Sequence, residues 1–329
     1  MTKPMTLDNK APCTTPPPSG NPASPLGFAA DDLPPDSEIA PSQEVLFDSQ
    51  IWKPDQYASI YYPVDQIGSE NLALLECEVE IWKRIRNLEA ESGAQRASEG
   101  LSQEELEAQG PRSSVFPGVD MVVIGGGGTL WDLPPAAPYV SGICYTDPHE
   151  NSRTLIQQYL NNKDDRRWDS YIARTLQFEG ETELSSQAIR ERDTVMRKRI
   201  TSLTSCDIRR RPPVDVGPGG VRIVSAHFVI EALTNNRAAW RRLMRNTASI
   251  VGDRGYIIIA SVGRAKEWRS TVSDEKKQPA TYVTEEDIES VLNHLGFDVF
   301  FMRWIPSEEA NADEYAGIIS CAARRRARA

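Results

Sequence analysis

Residues 120–130 read D-M-V-V-I-G-G-G-G-T-L, and residues 141–147 read S-G-I-C-Y-T-D. Each is a short apolar run; the first breaks on glycines, the second on an acid. Runs of that kind read as strands buried on both faces of a sheet. Glycines directly after a strand let a backbone come close to a ligand, because no Cβ intervenes, and they permit positive φ in the turn. Parallel sheets take their ligands beyond the carboxyl ends of their strands. Asp147, closing the second run, is placed to accept hydrogen bonds from both hydroxyls of a ribose. Together the two runs predict a ligand of the adenosine type.

The rest of the chain extends the pattern. Helical periodicity covers Glu150 to Asn161 and Ser185 to Ile200, and S-L-T-S-C-D-I (202–208) reads as a third strand. V-R-I-V-S-A-H-F (221–228) is a fourth strand, followed by a helix from Asn236 to Val251. G-Y-I-I-I-A-S-V (255–262) is the fifth, and a helix from Thr284 to Leu295 is closed by Gly296. F-D-V-F-F-M-R-W-I (297–305) and E-Y-A-G-I-I-S-C-A-A (314–323) then form an antiparallel hairpin. Strands alternating with helices imply an α/β fold: a mostly parallel sheet of seven strands with helices on both faces.

Residues 1–42, rich in Pro, Ser and Thr, cannot offset their ordering entropy by burial and read as a disordered leader. Residues 43–118 then form an N-terminal lid, with five aromatics in the sixteen residues F-D-S-Q-I-W-K-P-D-Q-Y-A-S-I-Y-Y (47–62). Aromatics at that density must bury against the core or against a ligand. A helix from Ser69 to Asn87 follows, then a polar insertion over 89–114. The main domain runs over 119–323, and 324–329 is a solvated basic tail.

Composition narrows the function classes. Of 329 residues 40% are hydrophobic, ordinary for a globular α/β chain, and the net charge of −10 repels phosphate backbones, so no nucleic-acid partner is expected. The five cysteines are scattered without a C-x-x-C pair, which excludes a zinc cage and a disulfide framework; no metal is expected. There is neither a membrane-length apolar run nor a secretory signal pattern, so no membrane partner is expected and the cytoplasm is the default compartment. The chain is expected to be a monomer or a homodimer. A nucleoside-triphosphate loop needs Lys and then Ser or Thr after its last glycine, and no Lys follows these glycines, which excludes that class. A dinucleotide loop needs G-x-G-x-x-G, whose third glycine falls on Leu130, which disfavours but leaves open an NAD(P)-binding oxidoreductase.

With these residues in place, the chain resembles the nicotinamide, phenylethanolamine and indolethylamine (thioether) methyltransferases, class I enzymes that use S-adenosyl-L-methionine. The family carries N-P-x-x-Y-x-x-x-Y-Y; here K-P-D-Q-Y-A-S-I-Y-Y places Tyr57, Tyr61 and Tyr62 on the motif tyrosines. The resemblance implies that these rings form a lid over cofactor and substrate. The glycine loop is similar to the family's D-x-G-x-G-P-T, which makes Gly125, Gly126, Gly127 and Thr129 cofactor contacts. It likewise puts Asp147 on the ribose acid and Asn151 on or near a cofactor-contacting asparagine. Asp207 and Ile208, in C-D-I, match the adenine-binding pair, and Ala226 opens the segment lining the methionine end.

Two departures stand out. The motif acid before the first glycine is Val123, and the substrate-binding acid after the fifth strand is Ser261. Trp268 and Tyr282 fall where the family builds its substrate pocket, which with Tyr57 and Ser261 makes four substrate-contact candidates. His227 and Glu231 are the titratable candidates for acid–base work at the acceptor. The implied function is methyl transfer to the nitrogen of a small amine or N-heterocycle. Transfer to a thioether such as methionine is the alternative within the fold, and a further class is a non-catalytic relative that binds the cofactor or none and serves as a partner subunit.

Overall fold

The computed structural model describes residues 47–49, 52–63, 67–98, 116–162, 168–269, 277–307 and 315–327. The leader 1–42 and the insertion beyond residue 98 lie outside them. Seven strands make one sheet: β1 (Met121–Ile124), β2 (Ile143–Thr146), β3 (Ile200–Thr204), β4 (Val221–His227), β5 (Val251–Gly263), β6 (Phe297–Pro306) and β7 (Gly317–Arg325). Their order is β3-β2-β1-β4-β5-β7-β6. The first five run parallel, and β7 enters antiparallel between β5 and β6. This is the class I methyltransferase layout that the sequence implied.

β1 and β2 are buried at every position, as expected of strands covered on both faces. Alternation then sorts side chains between two cores. Met121 and Val123 face a layer that includes Leu74, Trp82, Tyr145 and Tyr171; Val122 and Ile124 face one that includes Trp240, Leu243 and Leu292. The first layer is built by helices α2 (Ser69–Ser98), α4 (Asp169–Glu179) and α5 (Ser186–Arg199). The second is built by α6 (Arg237–Ala248) and α7 (Glu285–His294), while α1 (Pro54–Tyr61) lies against α3 (Glu150–Leu160). The amide oxygen of Asn236 accepts from the N–H groups of Ala238 and Ala239, starting α6 at that residue. Thr284 and Asp287 form a reciprocal capping box that starts α7.

Several boundaries differ from the sequence reading. α2 runs to Ser98 rather than Asn87, because L-E-A-E-S-G-A-Q-R-A-S continues with strong helix formers; the first residues of the supposed insertion are therefore helix. β3 is Ile200–Thr204, so C-D-I lies in the loop beyond the strand rather than inside it. α4 was not anticipated, although Tyr171, Ile172, Thr175 and Leu176 give it a buried stripe of helical spacing. The basic tail begins inside β7: Arg324 stacks on Tyr256 and Arg325 on Phe297.

The antiparallel end is fitted around one indole. Gly263 of β5 pairs with Gly317 of β7, and a Cβ on Gly263 would lie 2.4 Å from the Trp304 ring. The Arg264 guanidinium stacks on the same ring, 4.2 Å from its centroid. Gly263→Ala should therefore lower the melting temperature, by an overpacking cost of about 1–3 kcal/mol. In a Trp304→Ala background the same substitution should cost little, and a thermal double-mutant cycle measures the difference.

Candidate active site

β1, β2 and β4 end level with one another, since Ile124 pairs with both Thr146 and Ala226. The loops that leave these ends surround a narrow cavity of about 80 Å³. Its floor is the glycine loop. Gly125 and Gly127 have φ of +63° and +64°, which only glycine adopts without strain. A Cβ on Gly126 would lie 2.2 Å from the buried Tyr145 ring, whose hydroxyl accepts the Gly128 N–H at 2.9 Å. Asp147 is buried at one side, its two oxygens accepting the N–H groups of Gly127 and His149, each at 2.8 Å. The Ser152 hydroxyl also bonds this carboxylate, and its remaining lone pairs are available to a ribose hydroxyl.

The roof is aromatic. Tyr57 lies 5.0 Å from Trp52 and 5.0 Å from Tyr61, centroid to centroid, and Phe47 stacks on Trp268 at 6.0 Å. Trp52 is fixed by its indole N–H, which donates to Ser152 at 3.0 Å. A Cβ on Gly127 would sit 3.6 Å from Tyr57 and 3.7 Å from Trp52, so the bare backbone faces these rings directly. Ring faces this close suit a sulfonium cation.

Two further hollows adjoin the cavity. One, of about 460 Å³, holds Asp207, Ile208 and Arg209, and shares Gly125 and His149 with the cavity. Arg209 bonds Asp207 at 2.8 Å and holds its carboxyl below the usual range. The other, of about 330 Å³, shares Tyr57, Tyr62, Phe228 and Trp268 with the cavity and continues past Glu231 to Asn71 and Tyr315. Phe228 stands between them with φ +55°, a strained backbone for a bulky residue.

Glu231 is 1% exposed and accepts the Val262 N–H at 2.9 Å. Burial pushes its carboxyl up to about 7, against the pull of the Val262 N–H and the Ser261 hydroxyl. Ser261 thus supports Glu231 from behind; Val262 lines the chamber in its place. Ala226 is likewise a core residue of β4, the next two residues reaching the cavity instead. Asn151 is exposed on α3, and Tyr282 is 41% exposed outside all three hollows. His149 lines the cavity near where Asn151 was expected, while Ser152 is buried and holds Trp52, and Phe47 and Trp52 widen the lid beyond the motif tyrosines.

The composition of His227's surroundings was not foreseen. Its Nδ1 lies 3.2 Å from Asp132 Oδ2, and its Nε2 lies 3.1 Å from Glu78 Oε1, an ion pair whose direction is poor for a hydrogen bond. The Ser225 hydroxyl donates to the same Asp132 oxygen at 3.3 Å. Burial alone would lower the imidazole's pKa, but Glu78 and Asp132 reverse that and push it up to about 10. A group already protonated and flanked by two acids has no lone pair to offer as a base.

A family model for the NNMT/PNMT/TEMT family matches residues 111–326. The chain belongs to this family. Mouse indolethylamine N-methyltransferase is 22% identical over 185 residues, 54% of this chain and 66% of that protein, so the match spans just under two thirds of the relative. Among solved structures, a SAM-dependent methyltransferase of Methanosarcina mazei gives a TM-score of 0.43 at 8% identity, covering 69% of this chain and 99% of that one. Magnesium protoporphyrin IX methyltransferase of Synechocystis PCC 6803, solved with bound SAM, gives 0.38 at 12% identity, covering 64% and 71%. The family's chemistry depends on S-adenosylmethionine, and the dinucleotide alternative falls away. Among the described residues no helix is long and apolar enough to cross a membrane.

The buried imidazolium has a consequence for stability. A folded-state pKa raised above the ordinary 6.5 contributes stability that is full below that value and is lost as pH rises towards 10. The melting temperature should therefore fall from about pH 8.5 to about pH 10, above the range where Glu231 titrates. His227→Gln should flatten that slope and cost about 3–5 kcal/mol, because two acids are left without their partner. Thermal melts at three pH values check both.

Proposed function

We propose that the protein transfers the methyl group of S-adenosylmethionine to the nitrogen of a small amine or N-heterocycle bound in the chamber beside Glu231. The observation that carries this reading is the buried Glu231 carboxylate in a largely aromatic chamber that shares a wall with the cofactor cavity; a second buried acid of the chamber, Glu70, accepts from the Tyr315 hydroxyl. A nitrogen lone pair attacking a sulfonium gains positive charge as the new bond forms. A carboxylate beside it, poorly screened by water, favours that charge. A thioether acceptor would end as a sulfonium and gain the same charge, but it brings no N–H to satisfy the Glu231 oxygens, so an amine fits better.

The cofactor fits the residues present. Asp207 and Ile208 would flank its adenine, Asp147 would take its ribose hydroxyls, and the bare backbone of the glycine loop would run beneath its sulfur. It supplies an already activated methyl group, so the protein's part is alignment and exclusion of water. The roof of Phe47, Trp52, Tyr57 and Trp268 excludes water. The strained Phe228 sets the aperture between the two compartments. Glu231, with a pKa near 7, can also take the proton released when a primary or secondary amine is methylated.

Screening amines, pyridine-type heterocycles and thioethers for methyl acceptance tests the proposal; turnover with thioethers alone would refute it. With a weakly basic heterocycle, kcat/KM should rise with pH through about 7 as the Glu231 carboxylate forms. Glu231→Gln should remove that rise and lower kcat/KM about 10²- to 10⁴-fold. An unchanged pH profile in the variant would assign the titration elsewhere.

A further inference from the structure

Val123 leaves the cofactor cavity without an acid at the end of β1, yet the cavity is not without negative charge. Asp132 lines it, eight residues after Ile124, on the far side of the glycine loop. We propose that Asp132 holds the α-ammonium group of the cofactor's methionine part, with His227 and Glu78 as the residues that position it.

Three observations support this. Val123 is a core residue, 3% exposed and sandwiched between Tyr145 and Ser225 in the sheet, so a ligand ammonium near it must find its counter-charge elsewhere. Among the described residues the contacts of the Asp132 carboxylate run through Oδ2, to Ser225 and His227. Oδ1 is then left for a donor in the cavity, although the side chain is only 6% exposed. Finally, the imidazole beside Asp132 is shared, since its Nε2 faces Glu78, so an arriving ammonium would give Asp132 a charged partner of its own.

The surroundings fix the geometry as well as the charge. Glu78 comes from α2, on the side of the imidazole away from Asp132, and fixes the ring from behind. Trp131 lies 5.0 Å from the His227 ring and stacks on Tyr62 at 5.7 Å, closing the space around the carboxylate. Asp132 therefore has few alternative orientations, and a ligand ammonium does not have to order it on binding.

The proposal rests on the cofactor assignment, and the test separates the two. Isothermal titration of the full chain would compare S-adenosylhomocysteine with 5′-methylthioadenosine, which keeps the adenosine and thioether but lacks the amino-acid part. Asp132→Asn should weaken S-adenosylhomocysteine about 10- to 100-fold, the loss of one charge-assisted hydrogen bond. It should leave 5′-methylthioadenosine within about twofold of its wild-type affinity. Equal weakening of both ligands, or of neither, overturns the proposal. Wild-type protein that binds neither ligand overturns the cofactor assignment and the proposal with it. A crystal structure of the wild-type protein with S-adenosylhomocysteine gives an answer independent of any variant's folding. The amino nitrogen should lie within hydrogen-bonding distance of Asp132 Oδ1, and a separation beyond about 4 Å overturns the assignment.

Discussion

Glu78, His227 and Asp132 come from α2, the end of β4 and the segment after the glycine loop, and they meet inside the protein. Each alone would be too costly to bury; together the imidazole lies in ion-pair range of both acids. This makes the N-terminal helix part of the site rather than a cover laid over it. Leu74, Leu75, Ile81 and Trp82 on α2 pack into the same core as β1 and β2, so apolar burial sets the helix in place and the ion pairs fix how it sits.

The sheet was legible because its strands are short apolar runs that stop on glycines or acids, a pattern with few alternative readings. Asp147 and the glycine loop were legible for the same reason: the ligand edge of a parallel sheet is where strand runs end. The aromatic block at 47–62 also gave its meaning away, since rings at that density had to cover something. The residues that lie away from the hollows were placed by position alone. Asn151 is exposed two residues after His149, which does line the cavity, and Tyr282 is exposed in a segment that lines none of them; a helix or loop face cannot be fixed that closely from spacing. Ala226 lies away for a simpler reason, since alternate residues of a strand face opposite layers.

The charged cluster was illegible for a different reason. Glu78 is 149 residues from His227, and it lies in E-C-E-V-E, where three acids look alike. Only Glu78 turns inward; Glu76 and Glu80 meet Arg303 at the surface. Nothing in local sequence distinguishes an acid that will be buried against a distant imidazole from one that will be solvated. Val123 offered a hint, because a missing charge at a conventional place invites a search for its replacement. Finding Asp132 required the fold.

Tyr57, Tyr62, Phe228 and Trp268 are walls of both the cavity over the glycine loop and the chamber beside Glu231. A ligand in one compartment therefore packs against rings that the other also uses. A ring that shifts to admit one ligand changes the volume offered to the other, and the free energy linking two such events is the same in both directions. With cofactor and acceptor placed as proposed, that reciprocity would make Phe228 a partition through which each ligand alters the affinity for the other.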